Sequence, residues 1–228
     1  MVPAFGKRLA YMLAASALGL AAASCGEEEY RYPSVRLEYL TAFSDAEGGL
    51  TEVRTDAGRL YPVSSGLEDV RIAPDSLLRI IGNYAIGLTA GGDSAVCIYA
   101  VGQVIAPEPR PASWFKDGVK TDEASVGSIW MGWDYLNIML EVKAQSGTHT
   151  FGFVEDSYTV DTASGEADVR LTLYHNAGSD VQAYTRRAYL SVPLSQYASP
   201  GVERVRVTFR VNAGDEGWRS WTFEYKPR

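Results

Sequence analysis

The chain is poor in histidine and cysteine, with two of each among 228 residues. A zinc site asks for three or four imidazole or thiolate ligands, and this composition has almost none to spare. No metal and no other cofactor is expected. There is no cationic excess either. The 28 acids outnumber the 21 lysines and arginines and give a formal net charge of −7. A chain of that sign repels phosphate backbones, so nucleic acid is not an expected partner. No apolar run reaches the roughly 20 residues that a membrane-spanning helix needs. GxSxG, HExxH, P-loop, GxGxxG and DxDxDG patterns are all missing, as are internal repeats and low-complexity tracts. No spacing points at a pair of catalytic carboxylates. No catalytic residue is predicted, and the chain is expected not to be an enzyme.

What is present starts near the amino end. Lys7 and Arg8 form a positive patch, Leu9 to Leu20 is an apolar stretch of about 12 residues, and Ala22, Ala23 and Ser24 are small residues before Cys25. Positive, apolar and small-residue segments in that order make a cleavable export signal. This one resembles a bacterial lipoprotein signal, with residues 1–24 removed and Cys25 acylated as the new N-terminus. Ala22 stands where leucine is usual in that pattern. Two or more acyl chains give stable attachment to a bilayer, so the expected partner is a membrane, reached through the N-terminal lipid. Residues 25–33 read as an acidic tether. Its run Glu27-Glu28-Glu29 resembles the export signal of Bacteroidetes lipoproteins, which implies the outer face of the outer membrane. Loss of Lys7 and Arg8 takes the formal charge from −7 to −9. With Cys25 acylated, Cys97 is left alone, which rules out an internal disulfide. It sits in the apolar run Ala95 to Val101 and reads as a small packed hydrophobe.

The remainder reads as strands. In Ser34 to Phe43, Val35, Leu37, Tyr39 and Thr41 take one face and Arg36, Glu38 and Leu40 the other. Leu50 to Thr55 and Arg59 to Val63 flank Asp56-Ala57-Gly58, a hairpin signal. Asp75 to Ile81 reads as a strand with a bulge, and Tyr84 to Thr89 pairs with Ala95 to Ile105 across Ala90-Gly-Gly-Asp93. Residues 34–106 therefore predict a small Greek-key barrel. Residues 107–113, with three prolines at alternate positions, read as a stiff linker outside any ladder. In residues 114–228, strands are expected around Leu136–Val142, Phe151–Phe153, Val169–Leu173, Tyr189–Leu194, Val205–Val211 and Trp221–Tyr225. Each has one apolar face, and two packed sheets bury such faces together. Pro193 marks its strand as an edge or an end.

The order of these segments is similar to that of the NigD-like lipoproteins of Bacteroidetes. The likeness rests on the lipoprotein signal, Tyr135-Leu-Asn-Ile-Met-Leu140, Leu173-Tyr-His-Asn-Ala-Gly-Ser-Asp180 with Tyr189-Leu-Ser-Val-Pro-Leu194, and the runs Val205 to Val211 and Trp221 to Tyr225. It implies an all-β chain with an N-terminal OB-like barrel followed by a C-terminal β-sandwich. It also carries a link to a bacteriocin gene cluster, which adds immunity or envelope protection to the expected functions.

Several side chains are candidate sites. Trp114, Trp130, Trp133 and Tyr135 are candidate glycan contacts, because sugars stack on exposed rings; the competing reading is core filling at the junction of the domains. Trp218 and Trp221 read as core. Glu155, Asp156, Asp161, Glu166 and Asp168 suggest an acidic loop with calcium as the functional alternative. Arg204, Arg206 and Arg210 read as a solvent face paired with neighbouring acids. His149 sits at a strand start, and His175 lies beside the turn Asn176 to Ser179, where it is expected to bond the backbone. The resulting expectation is a lipid-anchored, non-enzymatic binding protein of the envelope, with a glycan or protein ligand.

Overall fold

The computed structural model describes residues 34–67 and 70–228, so Cys25, the export signal and the acidic tether lie outside the described residues. The described chain opens with a closed barrel of β1 (Val35–Ser44), β2 (Leu50–Thr55), β3 (Leu60–Ser65), β4 (Leu77–Leu88) and β5 (Ser94–Gln103), in the order β1-β2-β3-β5-β4. All its pairings are antiparallel except β3 with β5. The turn after β2 needs Gly58 at φ 81°, a conformation open to glycine at little steric cost. Leu77–Leu88 runs as one strand instead of two, and the expected bulge falls between Asn83 and Tyr84 against β5.

The barrel interior is filled by Leu40, Ala42, Val53, Ile80, Tyr84, Val96 and Ile98. β1 departs from a simple in–out strand, because Tyr39 and Thr41 are as buried as Leu40 and Ala42. One face fills the barrel and the other meets the second module. That explains why alternation in this strand does not separate polar from apolar.

The second module has two sheets. β13 (Trp218–Tyr225), β12 (Arg204–Asn212), β10 (Glu166–Asn176), β9 (Thr150–Asp161) and β6 (Arg110–Pro111) form one, and β11 (Tyr184–Pro193), β8 (Tyr135–Ala144) and β7 (Ser125–Met131) the other. Their facing rows make one core: Leu136, Ile138 and Leu140 from β8, Leu190 and Val192 from β11, and Phe153, Val169, Leu171, Val207 and Phe209 from the larger sheet. All-β architecture with a barrel and a sandwich is what the periodicity predicted. β7 was not anticipated, because Ser125-Val-Gly-Ser-Ile-Trp-Met131 alternates poorly. The proline-rich stretch also contributes to a sheet: Arg110 and Pro111 pair in parallel with Val154 and Glu155. Proline is tolerated there because β6 is an edge with no outer neighbour to donate to.

Residues 34–228 form one compact unit. At the junction, Tyr39 donates its hydroxyl to the Ile138 carbonyl at 2.9 Å, and burial pushes its pKa far up, so it stays a donor. Arg79 on β4, buried outside the barrel, donates to Ser191 at 3.2 Å, Thr41 at 3.2 Å and Asn137 at 2.9 Å, and pairs with Asp56. Asn137 in turn donates to Asp56 at 2.7 Å. The guanidinium therefore ties β1, β4 and the β2–β3 turn to β8 and β11. Among the described residues no helix is long and apolar enough to cross a membrane.

Candidate functional site

The four aromatic candidates do not share one surface. Trp130 meets the Tyr39 ring edge-on at 5.1 Å, Tyr135 lies under the Arg79 guanidinium at 4.3 Å, and Trp133 is flanked by Arg54 at 5.8 Å and Arg228 at 3.3 Å. These three are half-buried between barrel and sandwich. Trp114 stands apart in the turn after β6, 64% exposed, beneath Arg110. Trp221 packs against the sandwich core as expected, whereas Trp218 is 51% exposed with Arg210 stacked 4.9 Å above it. Trp218 lies on the opposite face of β13 from Trp221, Phe223 and Tyr225, the outer face that β12 shares through Arg210.

The acids expected in one loop sit instead on two paired strands, with only Thr162–Gly165 between them as a turn. Each has other work. Glu155 accepts from the Tyr197 hydroxyl at 2.7 Å, Asp156 pairs with Arg210 at 3.5 Å, Glu166 with Arg204 at 3.0 Å and Asp168 with Arg206 at 3.3 Å. Asp161 accepts from Ala163 N–H and Ser164 within the turn. Among the described residues, no three His, Cys, Asp or Glu side chains are grouped to hold a metal. Cys97 is half-buried and accepts a hydrogen bond from Ser65 at 3.1 Å.

The arrangement with chemical content lies at one open end of the sandwich. Strand register builds it. Asp161 pairs with Glu166 across the β9–β10 turn, and the ladder runs back until Phe151 faces His175. His149 is the next residue along the same face of the chain as Phe151. His149 Nδ1 then lies 2.9 Å from His175 Nε2, His149 Nε2 lies 3.3 Å from Asp180, and His175 Nδ1 lies 3.0 Å from the Asp122 carbonyl. Phe151 stacks on the His175 ring at 4.7 Å. Burial pushes the His175 pKa down, and the charge of His149 adds to that.

Asp180 organises the rim. Its carboxylate accepts backbone N–H bonds from Gln145 at 2.8 Å, Ser146 at 3.1 Å and Val181 at 2.9 Å. Those amide donors, Gln145 first, hold it well below the usual carboxylate range. Beside this cluster opens a cleft of about 400 Å³ whose lining includes Val142, Ala144, His149, Phe151, Arg186 and Ala188. Arg186 belongs to the row Arg186, Ala188, Leu190, Val192, which faces the core. Its neighbour Arg187 also borders the cleft and pairs with Glu141 at 3.6 Å. At this end, then, three core-facing rows finish in His149, His175 and Arg186 in place of apolar residues.

Both histidines are visible in the sequence, but their contact is not. The available signal was the row itself. Phe151 and Phe153 extend back to His149, Leu171 and Leu173 forward to His175, and Leu190 and Val192 back to Arg186.

Residues 107–225 match the family described as the NigD-like C-terminal beta sandwich domain. The chain is similar to the solved structure of a NigD-like immunity protein from Bacteroides caccae, with 33% identity, 87% of this chain and 100% of that one covered, and a TM-score of 0.69. A protein of unknown function from Bacteroides vulgatus shares the fold at 18% identity, covering 84% of this chain and 91% of that one with a TM-score of 0.63. So does a proposed lipoprotein from Bacteroides fragilis, at 12% identity, 86% and 99% coverage and a TM-score of 0.57. No curated protein sequence matches the chain.

Proposed function

The chain belongs to the NigD-like family, and from that premise we propose that it is a lipid-anchored, non-enzymatic binding protein of the cell envelope. Cys25 carries the lipid in this reading, and Glu27 to Glu29 direct the protein to the outer face of the outer membrane. The observation that carries the binding reading is the locked state of the chain's two histidines. A general base must reach a substrate proton. Here His149 and His175 face each other, backed by Asp180 and the Asp122 carbonyl. No carboxylate lines the adjoining cleft, and the three that line another, Glu166, Asp168 and Glu224, are paired with Arg204, Arg206 and Lys226, which weighs against the alternative of a carboxylate-pair hydrolase.

The ligand is a protein rather than a glycan. Three of the four aromatic candidates are occupied between the modules, which leaves Trp114 as the exposed ring among them. Likeness to a protein described as an immunity protein favours a second, narrower reading in which the bound protein is a bacteriocin and binding protects the producing cell.

Photo-cross-linking on intact cells, followed by mass spectrometry, tests the first reading. A recurrent protein adduct is expected, and adducts only to glycan, or none, would count against it. A deletion strain tests the second. It should gain toxin sensitivity, and unchanged sensitivity removes the immunity reading while leaving the first in place.

A further inference from the structure

We propose that the cleft at the open end of the sandwich binds the carboxylate of an acidic peptide segment, gripped by Arg186 from one sheet and faced by the hydrogen-bonded His149–His175 pair from the other. This deepens the reading of the protein as a protein-binding module and rests on it.

A count of protons carries the first part. The line Asp180, His149, His175, Asp122 carbonyl contains three close polar contacts, at 3.3, 2.9 and 3.0 Å. Both ends are acceptors: a carbonyl never donates, and Asp180 is held ionised by its amide donors. Each contact therefore needs a hydrogen on an imidazole nitrogen, which makes three. Two neutral imidazoles carry two. The line therefore has one contact more than two neutral rings fill, and Asp180 lies beside it. His175 Nδ1–H donates to the Asp122 carbonyl, which can only accept.

Arg186 carries the second part. It lies opposite Val142 in the β8–β11 ladder and is exposed at the mouth of the cleft. The nearby Glu141 is taken by Arg187, and Asp180 is taken by His149 and the backbone. One positive charge is therefore left over beside a cavity, in a chain whose formal charge is −7. A planar guanidinium meets a carboxylate through two parallel N–H···O bonds. The cleft is lined besides by Val142, Ala144, Phe151 and Ala188, apolar walls that suit the methylene stem of a glutamate. At about 400 Å³ it falls in the size range of small-ligand sites and admits a residue or two rather than a folded surface.

The charged and titratable groups around the pair are Asp180 after β10, Asp122 before β7, and Arg186 and Arg187 on β11; β8 contributes Val142 and Ala144. The test uses the protein from Cys25 onward, expressed without lipid, and three probes: a capped glutamate tripeptide, its glutamine counterpart and glucuronic acid. The glutamate peptide is expected to shift the backbone amide signals of Ser146 to His149, and the glutamine peptide is not. Arg186→Gln should weaken the glutamate peptide at least about tenfold, and Arg186→Lys should restore part of it. Nitrogen-15 histidine spectra should show His175 protonated at Nδ1. Glucuronic acid binding alone would overturn the peptide assignment. Equal binding of the glutamate and glutamine peptides, or no shift with any probe, would overturn the site. Should cross-linking on cells still capture a protein elsewhere on the surface, the binding function would stand and this cleft would not.

Discussion

His149 Nδ1 and His175 Nε2 lie 2.9 Å apart although 26 positions separate them in sequence. The contact follows from one ladder: the turn between β9 and β10 fixes the register, and register brings the ends of both core-facing rows together. A pH dependence follows. Burial lowers the pKa of His175 in the folded chain, below the roughly 6.5 of an exposed histidine. The unfolded chain then binds more protons at mildly acid pH. The stabilising contribution of neutral His175 is complete above about pH 6.5 and drains away as pH falls below it. Thermal melts across pH 7 to 5 should show the midpoint falling for the native chain. His175→Gln should flatten that part of the curve.

A larger effect is expected where the two modules meet. Arg79 is 2% exposed at its side chain and paired with Asp56. Removing one partner of a buried pair leaves the other charge uncompensated, at a cost of about 3–5 kcal/mol. Arg79→Leu should lower stability to urea by that amount. Adding Asp56→Asn should recover part of it, since the stranded charge is then gone.

Backbone and side chain can be separated at two glycines. Gly58 and Gly92 both hold positive φ, 81° and 90°. A Cβ on Gly58 would lie 1.7 Å from Trp133 Cζ3, whereas a Cβ on Gly92 meets nothing within 4 Å. Gly92→Ala should cost about 1 kcal/mol for the backbone alone. Gly58→Ala should cost distinctly more in the same denaturation assay, because the Trp133 ring is flanked by Arg54 and Arg228 and has to move.

The aromatic candidates differ in kind, and stability measures the difference. Trp114 is 64% exposed, so Trp114→Ala should change unfolding free energy by less than about 0.5 kcal/mol. Trp130 packs edge-on against Tyr39, and Trp130→Ala should cost roughly 2–3 kcal/mol. Similar losses from both would contradict the division into an exposed ring and a junction ring.

Much of this fold was legible because strands with one solvent face alternate. Val205, Val207, Phe209 and Val211 are buried and Arg204, Arg206 and Arg210 are not, as their order in sequence predicts. The same logic read Arg204 and Arg206 as ion-paired surface residues, and they pair with Glu166 and Asp168. It failed where both faces are covered or an edge is short. β1 buries Tyr39 and Leu40 alike. β6 is two residues held by one neighbour. The cleft was illegible for another reason: His149, His175 and Arg186 come from three strands, and only register and sheet packing bring them to one end. Nothing in the spacing of two histidines 26 positions apart shows that their strands pair.

The account's central claim is a binding module held at the envelope by a lipid on Cys25. Fractionation of cells expressing the native chain and Cys25→Ala tests it most directly, read alongside intact mass. The native chain is predicted to begin at Cys25, to carry acyl chains and to sediment with outer membrane, while Cys25→Ala is released into the soluble fraction. Equal membrane retention of the two, or a native product with an unmodified Cys25, would contradict the account.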